Sequence, residues 1–126
     1  KPEIALMMEA TTAADLPGTP GGKRVCAPGS GVVIPYMDGG IIYDRKLFEQ
    51  LRCLAEEHHI PWQTKEYISG GTNGRVYQRS CGGVRVAGLA VATRYLHAPT
   101  SVAAVSDLGS MLRLARLFID RIAEED

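Results

Sequence analysis

Residues 84–91, Val-Arg-Val-Ala-Gly-Leu-Ala-Val, restrict the possible folds more than any other stretch of this chain. The run is short, carries a single charge and lacks strict polar alternation, which is the pattern of a central β-strand covered on both faces. Such a strand needs one layer above it and another below. Residues 4–8, Ile-Ala-Leu-Met-Met, repeat the pattern and end on Glu9. A carboxylate at the end of a buried strand is unfavourable unless it is paired or coordinated.

The remaining sequence supplies the covering layers. Asp44 is placed to cap a helix over residues 45–59, with Leu47, Phe48, Leu51, Leu54 and Ala55 as its apolar face. Pro61 stops it. Ser106 is placed to cap a last helix over residues 107–124. Its expected seam is Leu108, Met111, Leu112, Ala115, Phe118, Ile119 and Ile122, with Asp107 favoured in the first turn by the helix dipole. A short helix is expected over residues 75–80, closed by Gly82 and Gly83. Residues 36–40 read as a turn. Further strands are expected at residues 32–34, where Pro35 confines the strand to an edge or an end, at residues 62–68, and at an edge over residues 102–105. Strands alternating with helices imply an α/β layered sheet.

A chain of 126 residues makes one modest domain. Its 14 basic and 14 acidic residues cancel, and no basic cluster exceeds Lys23-Arg24, so nothing favours nucleic acid or an anionic membrane as partner. Cys26, Cys53 and Cys81 are too widely spaced for a disulfide framework or a CxxC knuckle. They read as reduced thiols of an intracellular protein, at least one on the buried face of a helix. No apolar run approaches the ~20 residues needed to cross a bilayer. The chain opens without methionine and enters an apolar strand almost at once, as a piece of a longer polypeptide would.

Three stretches carry the candidate chemistry. His97 lies in a loop after the 84–91 run, with Arg94 before it and Pro99 after it. A loop histidine is either solvated or hydrogen-bonded, or it is a metal ligand. Glu9 is either a strand-end carboxylate paired with Arg94 or Lys23, or a ligand; Asp15 in the following loop is the weaker candidate. Ser69-Gly-Gly-Thr-Asn-Gly74 joins a strand to a helix. It is either a tight connection or a set of backbone amides able to cradle an anion or a substrate main chain, and it matches neither the Walker nor the GxGxxG spacing. His58 and His59 read as a solvated helix terminus. No Ser or Cys has an adjacent base to make it a nucleophile.

Met8-Glu-Ala-Thr-Thr-Ala-Ala-Asp-Leu-Pro-Gly18, Ser69-Gly-Gly-Thr-Asn-Gly74 and Arg94-Tyr-Leu-His-Ala-Pro99, in this order and at these separations, resemble the C-terminal part of the metallo-aminopeptidases that assemble into tetrahedral dodecamers. Members are often labelled glutamyl aminopeptidase, deblocking aminopeptidase or endoglucanase. The resemblance spans residues 1–126 and implies the C-terminal portion of a three-layer α/β/α zinc-peptidase catalytic domain with a mixed sheet. It further implies a cytoplasmic homo-oligomer acting on peptide N-termini with two divalent ions, zinc or cobalt.

In that family the position matched by Glu9 is a metal ligand, commonly Asp, and the position matched by His97 is a ligand to the other metal. Glu9 keeps the charge and the oxygen donor on an arm one methylene longer. The resemblance makes Gly70, Gly71 and Thr72 a substrate-lining loop. The general base, the remaining ligands and the inserted dimerisation domain would precede Lys1, so this chain alone is expected to be inactive. Two other readings stay open: a non-catalytic assembly or small-ligand-binding domain on the same fold, and a glycan hydrolase, for which no pair of carboxylates flanking a sugar is visible.

Overall fold

The computed structural model describes residues 2–125. Its long elements are a parallel strand pair, β1 (Ile4–Thr12) and β6 (Arg85–Arg94), in continuous register from Ile4 opposite Arg85 to Thr12 opposite Thr93. On the other side of β6 lies β2 (Val32–Val33), antiparallel to it, and then β5 (Trp62–Gln63), parallel to β2. A short strand, β7 (Val102–Ala103), pairs antiparallel with the end of β6. The sheet is therefore mixed. A separate hairpin, β3 (Met37–Asp38) and β4 (Ile41–Ile42), begins within the stretch 36–40 read from the sequence as a turn and extends two residues past it.

The β6 strand is central and buried along its length, as its composition demands. Its two faces are covered by different layers. Ala87, Leu89 and Val91 pack in one core with Val32 and the helices α1 (Arg45–Glu57) and α3 (Val105–Glu125). On the opposite face Val86 packs with Ile41 and Tyr43, and Ala90 and Ala92 pack with Val25, Cys26 and Val33. The short helix α2 (Gly74–Arg79) lies on this second face, its Gly74 against Ile41 and Val86. Two helices, a mixed sheet, and a hairpin with a short helix make the expected three-layer α/β/α arrangement.

Asp44 caps α1 as its type and position require: its Oδ1 accepts the Leu47 amide at 3.0 Å, and Leu47, Leu51, Leu54 and Ala55 are buried. Other expectations need correction. The β1 strand does not end at Met8 but runs to Thr12, because β6 offers a continuous ladder that far. It is also not covered like a central strand. It lies at the sheet edge, partly exposed, with Met8 41% exposed.

Only residues 62 and 63 of the expected 62–68 strand pair. Pro35 has no amide to extend the β2 ladder, and Lys65 turns into the interior. The edge strand at residues 102–105 shortens to Val102–Ala103 because α3 begins at Val105, which leaves Ser106 inside the helix and not as its cap.

The α3 seam is rotated from the one expected. Asp107, Met111, Leu114, Ala115 and Phe118 are buried, whereas Leu108, Leu112 and Ile119 are exposed. The rotation is fixed by Asp107, whose carboxylate accepts the amides of Gly29 at 2.8 Å and Gly31 at 2.9 Å. No cysteine sits on a buried helix face: Cys26 is buried in a loop, and Cys53 and Cys81 are exposed.

Candidate functional site

The carboxyl ends of β1 and β6 bring the candidate stretches to one side of the sheet, where open α/β sheets place their ligands. Alternate side chains of β1 divide between the faces: Ile4 and Leu6 meet the helical core, and Ala5 and Met7 meet the hairpin side. Glu9 continues the second set, so its carboxylate emerges next to the hairpin and the glycine loop and not at the strand's end. Its Oε1 accepts the Asn73 amide at 3.2 Å.

Neither proposed cation reaches Glu9. Arg94 forms a two-point pair with Asp15, Nε to Oδ1 at 2.9 Å and Nη2 to Oδ2 at 2.7 Å. Those hydrogen bonds hold the Asp15 carboxyl below its usual range. Lys23 forms no ion pair among the described residues. Asp15 is thereby a clamp between the loop after β1 and the end of β6, and among the described residues only Oε1 of Glu9 is engaged.

The 70–73 loop reaches Glu9 because the hairpin holds it from behind. Gly39 N–H donates to the Gly70 carbonyl at 2.8 Å. Thr72 Oγ1 lies 3.1 Å from the Tyr43 hydroxyl, which donates to Asp38 Oδ2 at 2.9 Å, and Asp38 Oδ1 pairs with Lys65. Asp38 and Lys65 are both buried, a placement that charged groups tolerate only in such pairs. Burial pushes the Tyr43 hydroxyl well above the ordinary phenol range. These groups and Glu9 line a small pocket of about 10 Å³. The Asn73 amide is spent on Glu9, so the loop does not present it to a ligand.

His97 lies three residues beyond β6 and is exposed. Its φ is +67° and that of Tyr95 is +60°, both in the left-handed region that residues with side chains seldom adopt. The Ala98 amide closes the turn on the Tyr95 carbonyl at 3.0 Å. Strained backbone of this kind concentrates where a side chain must be aimed. The structure thus brings Glu9 together with the glycine loop and sets His97 on the same side of the sheet, without contact between them. Among the described residues, no group of three or more His, Cys, Asp or Glu is gathered as a metal cluster. His58 and His59 lie at the end of α1, away from this region.

The sequence did not single out Asp38, Tyr43 or Lys65. Asp38 lies in what reads as an ordinary surface turn, and only Lys65 within an otherwise strand-like stretch hints at a buried charge.

The relationship to known proteins is decided by one match: the sequence model of the family described as M42 glutamyl aminopeptidase covers residues 1–114. The chain belongs to that family. It is 29% identical over 125 residues to the putative aminopeptidase FrvX of Escherichia coli, covering 99% of this chain and 35% of that protein. The aminopeptidase APDkam598 of the archaeon Desulfurococcus kamchatkensis superposes with a TM-score of 0.88 at 33% identity, over 94% of this chain and 34% of that one. A dodecameric structure of PhTET1-12s superposes with a TM-score of 0.69 at 25% identity, over 90% of this chain and 32% of that one. This M42 chain therefore spans about a third of the length of these relatives.

Proposed function

We propose that this chain is the C-terminal segment of the catalytic domain of a metal-dependent aminopeptidase and supplies two of its metal ligands, Glu9 and His97. The observation that carries the reading is Glu9 itself. An M42 chain has a half-buried carboxylate inside a strand, approached by a backbone amide and forming no ion pair among the described residues. A hydrogen bond to one oxygen fixes a ligating carboxylate while the other remains available. Oxygen from Glu9 and nitrogen from His97 form a donor set that zinc and cobalt accept.

Two donors do not hold an ion tightly, so the remaining ligands and the general base come from outside these residues. The chain alone is inactive on this reading. Glu9 and His97 would each hold a divalent ion, zinc or cobalt, and such ions would supply Lewis-acid activation of the scissile carbonyl and of water. The residues present here orient the site. Glu9 and His97 hold the ions, Gly70, Gly71 and Thr72 line the substrate's path, and the Asp15–Arg94 pair keeps the two strand ends in register. The whole protein is a homo-oligomer, as the dodecameric relative favours, located on this reading in the cytoplasm, with peptides and not nucleic acid as substrate. No helix among the described residues is long and apolar enough to cross a membrane.

The test is intact mass and elemental analysis of the protein purified from its own cells, together with peptide and glycan hydrolysis. A chain longer than 126 residues with close to two divalent ions per subunit and release of N-terminal residues is expected. Glu9→Ala and His97→Ala should each lower metal content. Metal content untouched by either substitution would remove the ligand assignment. Absence of metal would favour the assembly-domain reading, and reducing-sugar release without peptide cleavage would favour the glycan hydrolase.

A further inference from the structure

The geometry points to the β3–β4 hairpin as the positioning element of the 70–73 loop, acting through that loop on the Glu9 carboxylate. The inference gives the hairpin a catalytic meaning only if Glu9 is a ligand as proposed above, but the mechanical coupling stands by itself.

Two independent contacts join hairpin and loop. The first is a close approach of backbones: Gly39 N–H donates to the Gly70 carbonyl at 2.8 Å. A Cβ on Gly39 would fall 2.7 Å from that carbonyl oxygen, and a Cβ on Gly71 would fall 2.7 Å from the Gly39 oxygen. Neither glycine has a left-handed φ. Their own conformations would accept alanine, so it is the opposing backbone that excludes a side chain. The second contact is the chain of polar groups from Asp38 through the Tyr43 hydroxyl to Thr72, anchored at its buried end by Lys65.

Both contacts end within three residues of Asn73, whose amide is the group that meets Glu9. The next residue, Gly74, starts α2 and is itself packed so tightly that an added Cβ would lie 2.9 Å from Ile41 of the hairpin. The loop is thus held at both ends by one hairpin, and a shift of the hairpin moves the Asn73 amide relative to Glu9. A ligand oriented in this way is set before metal arrives.

Amide hydrogen exchange at Asn73, read by mass spectrometry with residue-level fragmentation on the complete protein stripped of metal, tests the coupling. Gly39→Ala forces the two backbones apart, and Thr72→Val removes the hydroxyl while keeping the shape. Each should speed Asn73 exchange about tenfold by freeing one local contact. Thr72→Ser, which restores the hydroxyl, should return it towards the original rate. The Gly31 amide, held by Asp107 on a different part of the fold, should not change. Unchanged Asn73 exchange in both variants would overturn the proposal, as would equal acceleration at Gly31 or a Thr72→Ser variant no better than Thr72→Val. Because exchange is read in metal-free protein, its outcome is separate from the metal-content test of Glu9 and His97.

Discussion

Replacing Lys65 by Met is the sharpest test of how the interior behind the site is held together. The Lys65 and Asp38 side chains are only 3% and 1% exposed, so the substitution leaves a carboxylate buried without its cation. Breaking a buried pair in this way costs about 3–5 kcal/mol. The Tyr43 hydroxyl still donates to Asp38 Oδ2 at 2.9 Å, which places the loss at the lower end, about 3 kcal/mol. A 126-residue domain has a total stability of roughly 6–19 kcal/mol and an unfolding entropy near 0.26 kcal/mol/K. The expected fall in Tm is therefore about 10–15 °C.

Thermal and urea unfolding of Lys65→Met, Asp38→Leu and the double variant complete the cycle. The double variant should be more stable than either single change, since two apolar groups replace the pair and no charge is left stranded. A Lys65→Met variant within about 1 kcal/mol of the parent, or a double variant as unstable as the summed singles, would refute the buried-pair reasoning.

Asp107→Ala should cost about 2–4 kcal/mol in urea unfolding, because the amides of Gly29 and Gly31 lose their acceptor and the latter is buried; a loss below 1 kcal/mol would mean that water replaces the carboxylate. Acid should also weaken the fold. Arg94 and Arg85 hold the carboxyls of Asp15 and Asp44 below their ordinary values, so their stabilisation is present above about pH 4 and is lost as pH falls through the folded-state values. The urea midpoint of the parent should drop from pH 5 to pH 2 more steeply than that of an Asp15→Asn/Asp44→Asn variant, and parallel profiles would show that other groups control acid sensitivity.

Much of this architecture is written locally. The apolar run at residues 84–91 demanded cover on both faces and received it, since few other environments accept so little polarity. Asp44 marked the start of α1 because a cap needs only its own side chain and the third amide onward. The ordered motifs around Glu9, residues 69–74 and His97 placed the chain in its family, a result the match over residues 1–114 bears out.

What needed the tertiary structure is every decision made between distant segments. The α3 helix has apolar residues on more than one face, and the face that turns inward was chosen by Asp107 reaching amides 76 and 78 residues away. The sequence reading offered Arg94 as a partner for Glu9, and three-dimensional register gave it to Asp15 instead. Asp38, Tyr43, Lys65 and Thr72 carry no joint signal along the chain, since nothing in their spacing records that a hairpin and a loop would share one buried pocket. Sequence fixes what each segment can be by short-range sterics, capping and hydropathy; which charge meets which partner depends on the packing of the whole chain, because burial alone makes those pairings necessary.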